Sequence, residues 1–124
     1  MIEGIAFITY PVSDMKAARE FYEELLDLRL SQGEGSEWLE YDIGGGTFAI
    51  SLADADHPVP VRGAVLALEV SDLEAEVARL QGGGARFRTG ITESPICHFA
   101  VLLDPDGSEI ILHKRKQSVG AVLP

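Results

Sequence analysis

Two stretches of the chain carry apolar residues at three- and four-residue spacing. Met15, Ala18, Phe21, Tyr22 and Leu25 form one stripe, with Lys16, Arg19, Glu20, Glu23 and Glu24 on the other side, which predicts an amphipathic helix lying on a sheet. Leu73, Val77 and Leu80 repeat the device more briefly. Ser71 with Glu74 fits a capping box, and Gly82-Gly83-Gly84 permits the left-handed turn that ends this second helix. A strand-like run precedes each helix, Ile5 to Tyr10 and Ala64 to Val70, rich in the residues that suit a pleated surface. Further strands are predicted after each helix. They are Trp38 to Ile43 and Thr47 to Leu52 in the first half, and Arg86 to Arg88, Phe99 to Leu103 and Glu109 to His113 in the second. Gly44-Gly45-Gly46 and Asp104-Pro105-Asp106-Gly107 read as hairpin connections, the latter through a type I turn.

The two halves echo each other. Val12-Ser13-Asp14-Met15 followed by Ala17 returns as Val70-Ser71-Asp72-Leu73 followed by Ala75, and the run from Gly46 to Leu52 parallels the run from Gly107 to His113. The expected architecture is an α+β chain of two β-α-β-β-β modules, the first at about residues 1–56 and the second at about 60–115, within one domain spanning 1–124 and ending in a tail at 116–124.

At 124 residues with 46% hydrophobic content, the chain is long enough for a real core and too short for two large domains. Its apolar runs fall far short of the roughly 20 residues of a membrane-spanning helix, and no secretory leader is legible at Met1-Ile2-Glu3-Gly4, so a cytoplasmic protein is expected. The formal net charge of −10 opposes nucleic acid and anionic membranes as partners, and Lys114-Arg115-Lys116 is too short a basic cluster to reverse that. Neither glycine triplet is a dinucleotide fingerprint: one lies in a hairpin and the other ends a helix. Cys97 is the only cysteine, so stability rests on packing.

The Val-Ser-Asp-Met run continuing to Phe21-Tyr22 and Leu25-Leu26, its Val-Ser-Asp-Leu echo at 70–73 and the Asp-Pro-Asp-Gly turn at 104–107 together resemble the vicinal oxygen chelate superfamily. That superfamily contains glyoxalase I, bleomycin-resistance proteins, fosfomycin-resistance enzymes and extradiol dioxygenases. The resemblance implies a cupped mixed sheet with helices on its outer face, a homodimer and, in the enzymes, one divalent metal held by His, Gln and Glu side chains inside the cup. Carried onto this chain, the ligand positions fall on Phe7, on Gly63 or Val65, on Ile50 and on Ile111. None of these side chains coordinates a divalent ion. No cofactor is therefore expected, with a relocated metal using His57, His113 and a carboxylate as the alternative. Glu109 and His113 share a strand face but stand about 13 Å apart, too far to grip one ion.

Under the same register, the cup is lined by Phe7, Thr9, Phe48, Ile50, Leu52, Val65, Cys97, Phe99, Val101 and Ile111. Trp38 and Tyr41 have opposite parity on one strand, so only one of them joins this surface, and Trp38 is favoured. Such a lining suits an apolar or aromatic ligand. Cys97 and His98 point to opposite faces, which argues against a thiol nucleophile activated by its neighbour. His57 lies in a polar loop, and Glu40 with Asp42 forms an acidic strand face without a legible catalytic partner. Three functions stand in order: a metal-free, dimeric binder of an apolar or aromatic small molecule; a divalent-metal lyase or dioxygenase with displaced ligands; and a structural, dimerising module whose cup is filled by its own side chains. The acidic balance ranks neutral or cationic ligands above anionic ones, unless Arg62, Arg86 or Arg88 lines the opening.

Overall fold

A computed structural model describes residues 1–116, and the chain beyond Lys116, including nearly all of the expected 116–124 tail, lies outside the described residues. The described residues form two compact units, 1–62 together with the turn 105–108, and 63–104 together with 109–116. Each unit carries one β-α-β-β-β module and its own four-stranded mixed sheet.

In module one, β1 (Ile8–Val12) leads into α1 (Met15–Arg19), which continues as a π-helical turn over Glu20–Leu25, and β2 (Arg29–Gln32), β3 (Trp38–Ile43) and β4 (Gly46–Leu52) follow. The sheet order is β1-β4-β3-β2, with β1 and β4 parallel and the other pairs antiparallel. Asp14 caps α1 by accepting a hydrogen bond from the Ala17 backbone N–H at 3.2 Å. The helical segment lays Ala18, Phe21 and Tyr22 onto the sheet, where Tyr10, Val12, Leu39, Tyr41, Phe48 and Ile50 complete a core of fully buried side chains. Tyr22 and Phe48 have ring centroids 5.3 Å apart, and Tyr10 meets Phe48 edge-on at 5.4 Å. Tyr41 donates its hydroxyl proton to Glu23 at 2.8 Å, and Arg19 bridges Glu23 to Glu34. Burial, with the Glu23 hydrogen bond second, pushes the Tyr41 phenol well above its ordinary pKa.

Module two repeats the plan with β5 (Leu66–Glu69), α2 (Leu73–Gly82), β6 (Arg86–Glu93), β7 (Cys97–Leu103) and β8 (Glu109–Arg115), in the order β5-β8-β7-β6. Leu73, Val77 and Leu80 of α2 are buried along with Leu66, Ala100, Leu102, Ile110 and Leu112 of the sheet. The cap of α2 is Asp72, whose carboxylate accepts from the Ala75 N–H at 3.1 Å, in place of the expected Ser71. Both modules thus use the aspartate of the repeated Ser-Asp pair. Gly84, at φ 91, provides the left-handed residue after the helix.

Several boundaries differ from the sequence pattern. β1 begins at Ile8, because β4 offers pairing partners only for residues 8–12, which leaves Ile2 and Ile5 exposed. β2 is an edge strand that the pattern missed, since Arg29-Leu30-Ser31-Gln32 has no apolar alternation. β6 runs on to Glu93 through two register shifts flanking Thr89, which break the regular period that sequence reading depends on.

The main correction concerns β4. Phe48, Ile50 and Leu52 share the parity of Leu39, Tyr41, Tyr10 and Val12, and so lie on the helix-covered side of the sheet. Matching Gly46 to Gly107 assumes equal turns, whereas Gly44-Gly45 is a two-residue turn with Gly44 at φ 56 and residues 104–108 form a five-residue loop. The pairing of Ile8 with Phe48 and of Leu66 with Ile110 makes Phe48 the counterpart of Ile110, so Ala49 corresponds to Ile111. A slip of one residue exchanges the faces of a strand.

Candidate functional site

Each sheet has one face covered by its helix and one face free of helices. In module one the helix-free face carries Thr9, Pro11, Trp38, Glu40, Ala49 and Ser51 by strand parity. Phe7, just ahead of β1, joins them: its ring meets the Trp38 indole edge-on with centroids 5.0 Å apart. The Trp38 Nε1–H donates to Glu40 Oε2 at 2.8 Å, so the indole leans along its own strand with one polar edge satisfied. Tyr41 points the other way into the core.

The same face holds a groove of about 370 Å³, within the range of small-molecule sites, which reaches Ser51, the pairing partner of Trp38. Thr9, Pro11 and Ser51 form its floor, and the segment from His57 to Arg62 forms its wall. The Thr9 and Ser51 hydroxyls stand 3.3 Å apart. The wall is pinned at Val61, whose N–H donates to Ser108 Oγ at 2.9 Å. At its start, Asp54 accepts from the backbone N–H groups of Asp56 (3.0 Å) and His57 (2.8 Å) and contacts the His57 ring at Nδ1. These bonds, the His57 amide first, hold the Asp54 carboxyl below its ordinary pKa.

In module two, Cys97, Phe99, Val101 and Ile111 share the helix-free face with Ala67 and His113, and Val65 has the matching parity just ahead of β5. Cys97 and Val101 are buried, Phe99 and Ile111 half-buried and Val65 exposed. His113 Nδ1 lies 2.5 Å from Glu69 Oε1, and the Arg115 N–H donates to Glu69 Oε2 at 2.8 Å. The Arg115 amide, then the His113 ring, lowers the Glu69 pKa. Cys97 Sγ sits 3.1 Å from Ser94 Oγ, while His98 lies on the opposite face across from Lys114.

Of the expected lining residues, the structure groups Phe7, Thr9 and Trp38 on one helix-free face and Val65, Cys97, Phe99, Val101 and Ile111 on the other, and buries Phe48 and Ile50 under a helix. Sequence reading did not single out Ser51, Pro11 or the 58–61 wall. The signal for the wall is Pro58-Val59-Pro60, a rigid run whose place opposite Thr9 only the fold reveals.

The divalent-ion site that the resemblance implies does not fit these residues. With the register corrected, its positions fall on Phe7, Ala49, Val65 and Ile111, all hydrocarbon. Among the described residues no three His, Cys, Asp or Glu side chains gather around a common point.

A family model described as Glyoxalase/Bleomycin resistance protein/Dioxygenase superfamily matches residues 4–112. Solved structures with the same fold include TnmS3, an antibiotic binding protein from Streptomyces sp. CB03234, at 30% identity and a TM-score of 0.75, covering 93% of this chain and 98% of that one. A glyoxalase/bleomycin resistance protein from the same organism is 32% identical with a TM-score of 0.70, covering 88% and 98%. Lactoylglutathione lyase from Agrobacterium tumefaciens, at 16% identity, TM-score 0.71 and coverage of 91% and 94%, shares the fold. No curated protein matches the sequence. No helix among the described residues is long and apolar enough to cross a membrane.

Proposed function

The chain belongs to the Glyoxalase/Bleomycin resistance protein/Dioxygenase superfamily, and from that premise we propose that it is a metal-free binding protein for an apolar or aromatic small molecule. The observation that carries this reading is the helix-free face of module one, which holds the Phe7–Trp38 aromatic pair and a groove of about 370 Å³ whose lining, among the described residues, includes His57 but no Cys, Asp or Glu. Aromatic rings offer a ligand large contact area at little conformational cost, and the Thr9 and Ser51 hydroxyls add directional contacts. Val65, Phe99 and Ile111 give module two an apolar surface of the same kind, over the buried Cys97 and Val101. That a 30% identical protein of nearly equal length binds an antibiotic supports the same class of activity here. The working form is a homodimer in the cytoplasm, with neither nucleic acid nor membrane as partner.

The test uses the single tryptophan, Trp38, as reporter. Protein purified without chelator is titrated with a panel of polycyclic aromatic compounds, read by indole emission and melting temperature, and the same sample is analysed for metals. The expected result is a saturable change in emission, stabilisation of about 2.7 kcal/mol at a hundredfold excess over Kd, and no stoichiometric metal. One tightly held divalent ion per chain, or no ligand together with a crystal structure lacking the groove, contradicts the proposal. Size-exclusion chromatography with light scattering tests the dimer, and a monomer at micromolar concentration contradicts it.

A further inference from the structure

We propose that the module-one groove selects guests bearing one anionic oxygen group, a carboxylate or an ionised phenol, which docks on Arg62 while the hydrocarbon body lies against the proline-rich wall. This rests on the binding reading above and reverses the preference that net charge alone suggests.

The chain holds 20 acidic and 10 basic residues, so acids outnumber bases two to one over the sequence. Among the described residues no carboxylate lines this groove, and its charged and titratable members are Arg62 and His57. Arg19, Arg79 and Arg88 are each neutralised by a glutamate, whereas Arg62 is exposed and has no ion pair or side-chain hydrogen bond among the described residues. Two acids precede Arg62 on that loop, Asp56 and Asp54; neither lines the groove, and Asp54 is already engaged by two backbone N–H groups and the His57 ring. It is therefore committed to shaping the loop. The guanidinium retains its donors for a ligand, in a fork suited to a carboxylate.

The remainder of the lining fits the other end of such a molecule. Pro58, Val59 and Pro60 present hydrocarbon on a wall fixed through Val61 to Ser108. On the floor, one proton suffices between the Thr9 and Ser51 oxygens, so the second hydroxyl proton is free to be donated to a guest. An amphiphile with a flat apolar body and one acidic end satisfies each of these groups.

The experiment compares 2-naphthoate with its neutral counterpart 2-naphthamide by isothermal titration calorimetry on the full chain at pH 7.5 and low salt. The carboxylate is expected to bind about tenfold tighter, the equivalent of one charge-assisted contact, and 0.5 M salt is expected to narrow the gap. Arg62→Gln is expected to remove the preference, with the carboxylate losing about tenfold in affinity and the amide losing less, and Arg62→Lys keeps part of it. Equal binding of the two compounds to the wild-type chain overturns the anionic preference and leaves the binding reading standing. A preference that survives in Arg62→Gln overturns the assignment to Arg62. Failure of both compounds to bind overturns this inference, and the broader screen above then decides the binding reading separately.

Discussion

Replacing Phe48 with leucine separates the two places this ring can occupy, under a helix or on a ligand-facing surface. Phe48 is 2% exposed, with Tyr22 at 5.3 Å, Tyr10 at 5.4 Å and Tyr41 at 6.5 Å between ring centroids. Leucine keeps much of the buried hydrocarbon but loses the two close aromatic pairs, each about 0.5–1.5 kcal/mol, and leaves a small void that adds about 1 kcal/mol. The expected loss is about 2–4 kcal/mol, within the roughly 5–15 kcal/mol of a typical domain, so the variant folds and its melting temperature falls by about 10 °C. Urea denaturation followed by circular dichroism measures the loss, and calorimetric titration with an aromatic probe measures binding. Affinity is expected to stay within about twofold, because the side chain does not reach the helix-free face. Unchanged stability combined with collapse of binding would refute the assignment of β4's faces.

Trp38→Phe is expected to give the converse, with stability nearly preserved, the emission signal lost and probe affinity reduced severalfold in calorimetry. Asp72→Ala removes the α2 cap and costs about 1 kcal/mol, whereas Ser71→Ala stays within about 0.3 kcal/mol; the reverse order in thermal melts contradicts the capping assignment. Glu69 has its pKa lowered in the fold, so its contribution is present above the unfolded carboxylate value of about 4.3 and is lost as pH falls through the lower folded value. Because Glu69 is half exposed, Glu69→Gln should cost no more than about 1 kcal/mol at pH 7, and the cost should vanish near pH 2. A penalty independent of pH argues against the His113 and Arg115 contacts as its source.

The repeat of Val-Ser-Asp before each helix made the two-module plan legible, because the aspartate performs the same capping task twice. Faces were legible wherever strand period alone decided them: Phe99, Val101 and Ile111 share a side. They failed at β4, where alignment passed through hairpins of unequal length that leave no mark in the apolar pattern. β2 escaped because a short edge strand needs no buried side chain every second residue, and the full extent of β6 because its bulges break the period. The groove was the least legible feature. Thr9 and Ser51 are 42 residues apart and meet only because β1 pairs with β4, and the meaning of Arg62 depends on which acids are absent around it.

The central claim is that ligand binding on the Trp38 face requires no metal. The direct measurement is the dissociation constant of one polycyclic aromatic probe, read from Trp38 emission before and after exhaustive chelation and dialysis. The account predicts the same value in both samples. Binding that disappears on chelation and returns with a divalent ion would contradict it.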